Sequence, residues 1–207
     1  MSLTSIFFTF FFYISVLIFI TGVSYKIVQY WQTPAPLKIP IAPAPLNRSG
    51  VLLKIAREVF LFQSLFKASK WTWIFGWSFH LALVLLFFRH LVYFWPGEIP
   101  TILLKTEPLK YAAYPLIFGL LGLLGRRLFV DRVRYISAPS DYLMLLLLIV
   151  IGGSGMLMTF AQNHPNMLLV KNFAEGLITF NWSELPSELL FLAHIFLVFL
   201  LIAIFPI

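Results

Sequence analysis

One stretch, residues 70–96, constrains the fold of this chain more than any other. Its sequence, KWTWIFGWSFHLALVLLFFRHLVYFWP, is apolar for most of its length and long enough to cross a bilayer. Tryptophan and tyrosine residues mark both ends, which is typical of a helix that meets the two interfaces of a membrane. The stretch nevertheless contains His80, Arg89 and His90, and ionisable side chains are uncommon in hydrocarbon. Each of these three residues therefore needs a structural or chemical reason to be there.

The composition predicts an all-α membrane protein. Of the 207 residues, 60% are hydrophobic and only 11% are charged, and a soluble domain of this size could not bury so much apolar surface. The sequence contains no cysteine, which excludes disulfides, thiolate zinc sites and iron–sulfur ligation by this chain. The net charge of +7 resides in the loops between apolar stretches. It therefore indicates membrane orientation and not nucleic-acid binding.

The apolar stretches predict a polytopic helical bundle with five transmembrane helices. They cover residues 5–31, 70–96, 111–130, 140–160 and 187–207. A proline-rich linker, residues 32–50, follows the first span, and residues 51–70 predict an interfacial amphipathic helix that starts near an N-cap at Ser49. The alternative for that helix is packing on a partner subunit. We expect one integral-membrane domain over residues 1–207, in which residues 51–207 form a four-span core.

Basic residues predict how the chain crosses the membrane. The loop between the first two spans holds seven lysines and arginines if Lys26 and Lys70 are included, and the loop between spans three and four holds four. The opposite loops hold Lys105, Lys110 and Lys171. Because basic residues mark the cytoplasmic side, we expect a multi-pass protein of the cytoplasmic (inner) membrane with its N-terminus outside. His80 then lies toward the cytoplasm, and His90 and His194 lie toward the outside.

The positions of the histidines allow several kinds of site. His80 and His90 are separated by about 15 Å along a helix and about 80° around it, so they cannot share one metal. A tetrahedral zinc site is disfavoured by the same offset. A membrane histidine can instead bond a neighbouring helix or serve a quinone or proton relay. His90 and His194, on antiparallel helices at similar depth, have the arrangement that bis-histidine ligation of a b-type haem requires.

Residues near these histidines are candidates for the same site. A flat tetrapyrrole needs small residues beside it, and Gly76 lies one turn before His80, while span four carries a glycine-rich patch at residues 152–155. Arg89 is a candidate partner for a haem propionate, with snorkelling to the interface as the alternative. His164 lies in a polar loop, QNHPN, and is expected on the solvent side.

The order of these features resembles the five-span cytochrome b subunit of respiratory nitrate reductase and its relatives, from about residue 51 to residue 207. The resemblance is carried by FHLALVLLFFRH on span two, by the basic GRRLFVDRVR loop and by FLAHIFLVFLLIAIFPI on span five. Within that superfamily, the segment AEGLITFNWSELPSELLFLAHIFLVFLLIAIFPI is most similar to DsrM-like membrane cytochromes b of the sulfite-reduction-associated DsrMKJOP complexes.

The resemblance implies two b haems bound by histidine. His90 and His194 match the ligand pair of the outer haem, and His80 matches one ligand of the inner haem. The family's fourth ligand follows a Phe-Pro pair that matches Phe205 and Pro206, and its position would lie beyond residue 207. We therefore expect the second ligand of the inner haem from beyond that residue or from a partner chain, and the alternative is an inner haem that is absent or differently ligated. The residues of this chain thus support one haem more strongly than two. Lys110 loosely matches a lysine beside the family's quinone site, and its alternative role is an interfacial anchor.

The resemblance also implies a function and partners. The chain is expected to transfer electrons between the menaquinone pool and a cytoplasmic-side, heterodisulfide-reductase-like iron–sulfur subunit, beside a periplasmic multihaem cytochrome c and a second membrane subunit. It would then be an electron-transfer subunit of an oxidoreductase complex, without substrate chemistry of its own. The alternative is a haem-free membrane anchor or transporter subunit, in which the histidines are packing residues.

Overall fold

The computed structural model describes residues 1–34, 47–95, 98, 107–160 and 164–206, and every regular element in these residues is helical. In chain order the α-helices within these ranges are α1 (Leu3–Gln32), α2 (Arg48–Leu61), α3 (Gln63–Ala68), α4 (Lys70–Phe94), α5 (Ala113–Phe129), α6 (Asp131–Ile136), α7 (Pro139–Phe160), α8 (Met167–Thr179) and α9 (Leu189–Ile204). A 3-10 helix, Glu107–Ala112, leads into α5. The predicted all-α class is confirmed, whereas most of the proline-rich linker lies outside the described residues.

Four helical segments are long and apolar enough to cross a membrane. They are α1, α4, α7 and Pro108–Phe129, which contains α5. The last helix, α9, is also apolar but has 16 residues, which gives about 24 Å of helix against a hydrocarbon core of about 30 Å. The membrane character of the chain is therefore confirmed, and the fifth span stays a prediction.

The long helices pack in a continuous series. Helix α4 packs on α5, α5 on α7, α7 on α9, and α9 on α1, while α8 covers one end of α4. Two apolar clusters result. One joins α4, α5 and α7 around Leu116 and Leu120, and the other joins α1, α8 and α9 around Phe8, Phe173 and Phe199. Helix α7 contributes residues to both clusters, Leu145 to the first and Met158 to the second.

Polar contacts establish which helix ends share a side of the bundle. Near the start of α1, the Ser5 hydroxyl accepts a hydrogen bond from the Leu185 amide at 3.0 Å, and the Tyr13 hydroxyl donates to the carbonyl of Leu177 at 2.9 Å. The Tyr93 hydroxyl, near the end of α4, lies 3.4 Å from the sulfur of Met167 at the start of α8. The beginning of α1, the end of α4 and the whole α8 region therefore lie at one end of the bundle.

The opposite end carries α2, α3 and α6 and most of the positive charge. The basic residues at this end include Lys26, Arg48, Lys54, Arg57, Lys67, Lys70, Arg126, Arg127, Arg132 and Arg134. Two of these arginines bind nearby carboxylates, since Arg127 contacts Asp141 at 3.0 Å and Arg134 contacts Asp131 at 2.9 Å. The charge asymmetry that the sequence predicts between successive loops is thus an asymmetry between the two ends of the folded bundle.

This asymmetry predicts the orientation of the protein in the membrane. We expect a reporter inserted between Arg126 and Arg134 to be cytoplasmic and a reporter beside His164 to be outside, because lysines and arginines are retained on the cytoplasmic side. Paired fusions to alkaline phosphatase and to a fluorescent protein measure both positions. Reversed readouts would exchange the inner and outer ends of the bundle and contradict an external N-terminus.

The predicted interfacial helix is two helices, which corrects the expectation of one. The helix is interrupted at Phe62, whose φ of 50° and ψ of 46° lie in the left-handed region. The break leaves carbonyls of the last turn of α2 without helical partners. Two indoles of α4 satisfy them, because Trp73 Nε1 donates to the Leu61 carbonyl at 2.7 Å and Trp77 Nε1 donates to the Phe60 carbonyl at 3.1 Å. These two hydrogen bonds therefore attach the α2–α3 break to the N-terminal half of α4, which carries His80.

A carboxylate holds the other side of the same break. Glu58 accepts hydrogen bonds from the Ser64 hydroxyl at 2.7 Å and from the Ser64 amide at 2.9 Å. The bond from the hydroxyl, and next the bond from the amide, lower the pKa of the Glu58 carboxyl below its ordinary value. At the start of α2 the N-cap is Asn47, whose side chain accepts from the Gly50 amide, so the predicted cap at Ser49 is wrong.

Candidate functional site

The two histidines of α4 are held in the same way. In each, ring atom Nδ1 lies 2.7 Å from the carbonyl oxygen one turn earlier, at Gly76 for His80 and at Leu86 for His90. A carbonyl oxygen can only accept, so each Nδ1 carries the proton and donates it. In the neutral form of such a ring, the lone pair is on Nε2.

The Nδ1 atom of His194 is held by a side chain on another helix. Its Nδ1 lies 2.9 Å from the Oγ of Ser154 on α7, and that hydroxyl donates its own hydrogen to the Ile151 carbonyl at 2.9 Å. Because a serine hydroxyl has one hydrogen, its oxygen is left to accept from His194 Nδ1–H. In the described part of the chain, the hydrogen bonds of all three membrane histidines are made through Nδ1. Each Nε2 is thus available as a metal ligand.

His90 and His194 lie at the same end of the bundle. His90 is near the end of α4, His194 is near the start of the antiparallel α9, and the two imidazoles are close enough to interact electrostatically. Both side chains are half-buried. Helices α4 and α9 each pack mainly against other helices and not along each other. The two residues therefore lie toward the same end of the bundle, and their matched depth in a membrane stays a prediction.

The glycine-rich patch on α7 makes room for His194. A Cβ atom at Gly155 would lie 3.3 Å from Cε1 of the His194 ring, closer than such contacts ordinarily allow. A Cβ at Gly153 would meet nothing within 4 Å, whereas one at Gly152 would meet the side chain of Leu116 at 2.7 Å. The three positions thus differ, because Gly155 faces the His194 ring, Gly153 faces open space and Gly152 packs against helix α5.

Gly76 does not have the close-packed role that its position suggests. It is buried, but a Cβ there would make only an ordinary contact of 3.8 Å with Leu65. Its observed contribution is its carbonyl oxygen, which accepts from His80. The prediction that Gly76 leaves space for a ring beside His80 therefore stays a prediction.

His80 occupies a more open environment than the other two membrane histidines. Its side chain is exposed, and the ring of Phe62 stands edge-on to it with centroids 5.0 Å apart. His164, also exposed, lies just before α8, at the opposite end of the bundle. Among the described residues no group of three or more histidine, aspartate or glutamate side chains is arranged to hold a metal ion. The structure thus brings His90 toward His194 and leaves His80 apart.

The two candidate cations lie at the end of the bundle that carries His90 and α8. Arg89 is half-buried and directly precedes His90. Lys110 lies in the 3-10 helix before α5, where its ammonium sits 5.5 Å from the centre of the Tyr111 ring. That contact is a cation–π interaction of the kind that anchors a lysine at an interface. The assignments of Arg89 to a propionate and of Lys110 to a quinone stay predictions.

Two residues of this region are not identifiable as site residues from the sequence. Ser154 is within the glycine patch but is recognisable as a histidine partner only once α7 and α9 are packed together. Phe62 contacts His80 because the chain turns back at the α2–α3 break. The one signal in the sequence is that a serine inside an apolar span needs a hydrogen-bond partner. A carbonyl of its own helix can meet that need equally well.

The fold and the site define a class of protein, namely helical membrane proteins with histidines of two antiparallel apolar helices at one end of the bundle. Residues 62–207 match the family model described as "Nitrate reductase gamma subunit". A curated relative from Archaeoglobus fulgidus, "Hdr-like menaquinol oxidoreductase cytochrome b-like subunit", is 30% identical over 240 aligned positions, which cover 94% of this chain and 72% of the relative. A relative of the same name from Archaeoglobus profundus is 30% identical and is covered to 71%.

The chain belongs to the nitrate reductase gamma subunit family. The match covers α4 to α9 together with the end of the α2–α3 region, and the similarity to the archaeal relatives extends over nearly the whole chain. The resemblance inferred from the motifs on spans two and five is therefore confirmed.

Proposed function

We propose that this chain is a b-haem-binding membrane subunit that transfers electrons between menaquinone and an iron–sulfur partner subunit. The observation that carries the proposal is the pair formed by His90 and His194, whose Nδ1 atoms are both engaged and whose helices run antiparallel. The relatives are named as cytochrome b-like subunits of menaquinol oxidoreductases. Family membership thus supports the same class of function as the geometry.

The residues present fit a haem at the outer end of the bundle. Axial ligation needs two imidazole nitrogens with free lone pairs, and Nε2 of His90 and of His194 meets this need. Gly155 removes the side chain that would crowd the His194 ring. A bound b haem supplies reversible one-electron chemistry at its iron. The two histidines would hold it, and the apolar side chains of the span would keep water away.

His80 is proposed to hold a second, inner haem together with a ligand from outside residues 1–207. Its Nδ1 is fixed as in His90, and its exposed ring leaves Nε2 accessible. The two positions on α4 are about 15 Å apart along the helix axis. Electrons passing between haems at these positions would cross roughly half of a hydrocarbon core about 30 Å thick.

Menaquinone and the protein partners complete the proposal. Lys110, at the end of the bundle that carries His90, is proposed as a contact of the quinone head group. The iron–sulfur partner would be heterodisulfide-reductase-like and would dock at the basic, cytoplasmic end. A periplasmic multihaem cytochrome c and a second membrane subunit would complete a DsrMKJOP-like complex linked to sulfite reduction. These assignments rest on the family resemblance.

A spectrum of the purified full-length protein tests the central claim. We expect b-type absorption bands that sharpen on reduction with dithionite and, in the membrane-bound complex, also on addition of a menaquinol analogue. The haem-to-protein ratio distinguishes one haem from two. A protein that is folded by circular dichroism but has no reducible absorption would contradict the proposal and favour a haem-free membrane anchor.

A further inference from the structure

We infer that Ser154 is a positioning residue that fixes the ring of His194 and tunes the potential of the haem it binds. This inference rests on the proposed function, because it concerns the ligand to that haem. Ser154 is only 7% exposed, and its hydroxyl lies between the Ile151 carbonyl and His194 Nδ1, 2.9 Å from each. No other membrane histidine of the described chain has a side-chain partner at Nδ1.

The direction of the two hydrogen bonds explains why a serine suits this position. When the hydroxyl hydrogen goes to the Ile151 carbonyl, the serine oxygen is left to accept from the imidazole N–H. This order sets the Nδ1–H tautomer and leaves the lone pair of Nε2 for the iron. It also links the ring to α7 and not to its own helix. The orientation of His194 therefore depends on the packing of α7 against α9.

The difference from His90 has an electronic consequence. A hydrogen bond from the distal N–H makes a ligating imidazole more basic, and a more basic ligand favours the oxidised metal. At His90 the acceptor is a main-chain carbonyl that no side-chain substitution removes, whereas at His194 it is a hydroxyl that one substitution deletes. Loss of this hydroxyl should make His194 a poorer donor and shift the midpoint potential of its haem to more positive values. The proton stays on Nδ1 in both oxidation states, so no proton transfer is involved.

The test compares Ser154→Ala with a matched serine substitution elsewhere in the membrane. Ser78 on α4 also donates to a carbonyl, that of Pro115 at 3.0 Å, and this hydrogen bond involves no histidine. Redox titration of the full complex should show a positive shift of one haem in Ser154→Ala and no shift in Ser78→Ala. The electron paramagnetic resonance spectrum of the oxidised protein should also change in Ser154→Ala, because it reports the orientation of the axial ring. Ser154→Thr, which keeps the hydroxyl, should restore both signals.

The outcomes separate this inference from the proposed function. If the wild-type protein binds haem and Ser154→Ala keeps its potential and its spectrum, the positioning role is wrong while the haem proposal stands. If Ser154→Ala loses one haem and both Ser78→Ala and Ser154→Thr retain it, the hydroxyl is needed to hold the ring, which supports the inference. A wild-type protein without haem would overturn the proposed function and this inference with it.

Discussion

Replacement of His194 by alanine is expected to remove the outer haem and most of the quinol-linked electron transfer. The substitution deletes the proposed axial nitrogen and removes the ring that contacts Ser154 and lies beside Gly155. Loss of a residue that merely orients a metal ligand typically costs about 10- to 100-fold in affinity, and loss of the ligand itself should cost more. The measurement is the haem-to-protein ratio, together with the reduction of the remaining haem by a menaquinol analogue.

The matched control for His194→Ala is His164→Ala. His164 is an exposed loop residue at the same end of the bundle, so its replacement should leave both haem content and electron transfer unchanged. A His194→Ala protein with full haem content would show that His90 does not share an iron with His194.

A double substitution sharpens the test of the pair. If His90 and His194 ligate one iron, either alanine substitution removes that haem, and the double variant should lose no more haem than each single variant. Residues that act as one unit are strongly non-additive in this way. Additive losses would instead indicate that the two histidines serve separate sites, despite their electrostatic proximity in the fold.

The long apolar helices follow closely from the sequence because hydropathy and interfacial aromatics determine them. The stretch predicted at residues 70–96 is the helix Lys70–Phe94, and the stretch predicted at residues 140–160 is Pro139–Phe160. Within these spans, helical rise alone places His80 and His90 at different depths. The grouping of His90 with His194 needs only the alternation of chain direction from one span to the next. These features depend on local pattern and on the thickness of a bilayer.

Features that depend on contacts between distant residues could not be predicted. The break at Phe62 requires a left-handed aromatic residue, which local propensity disfavours. It becomes favourable because indoles from α4 bind the carbonyls that the break exposes. The bond between Ser154 and His194 joins residues 40 positions apart in the sequence. A pattern along one helix therefore cannot indicate either contact.

A large effect of a packing change is expected at Gly119 in α5. A Cβ atom there would lie 2.6 Å from the Phe75 carbonyl oxygen and 2.9 Å from the Phe79 amide nitrogen, both main-chain atoms of α4. Main-chain atoms of a helix cannot rotate away, so Gly119→Ala should push α4 and α5 apart. Overpacking of this kind costs about 1–3 kcal/mol, more than the ~1 kcal/mol that alanine gains over glycine in a helix.

The control for Gly119→Ala is the same substitution at Gly125 in the same helix. A Cβ at Gly125 would meet only the Phe129 ring, at an ordinary distance of 3.9 Å. Gly125→Ala should therefore keep or raise the melting temperature in detergent, while Gly119→Ala should lower it by several degrees. Since α4 carries His80 and His90, Gly119→Ala should also weaken haem retention on heating. Equal melting temperatures for the two variants would mean that α4 and α5 do not approach as closely as the glycine contact requires.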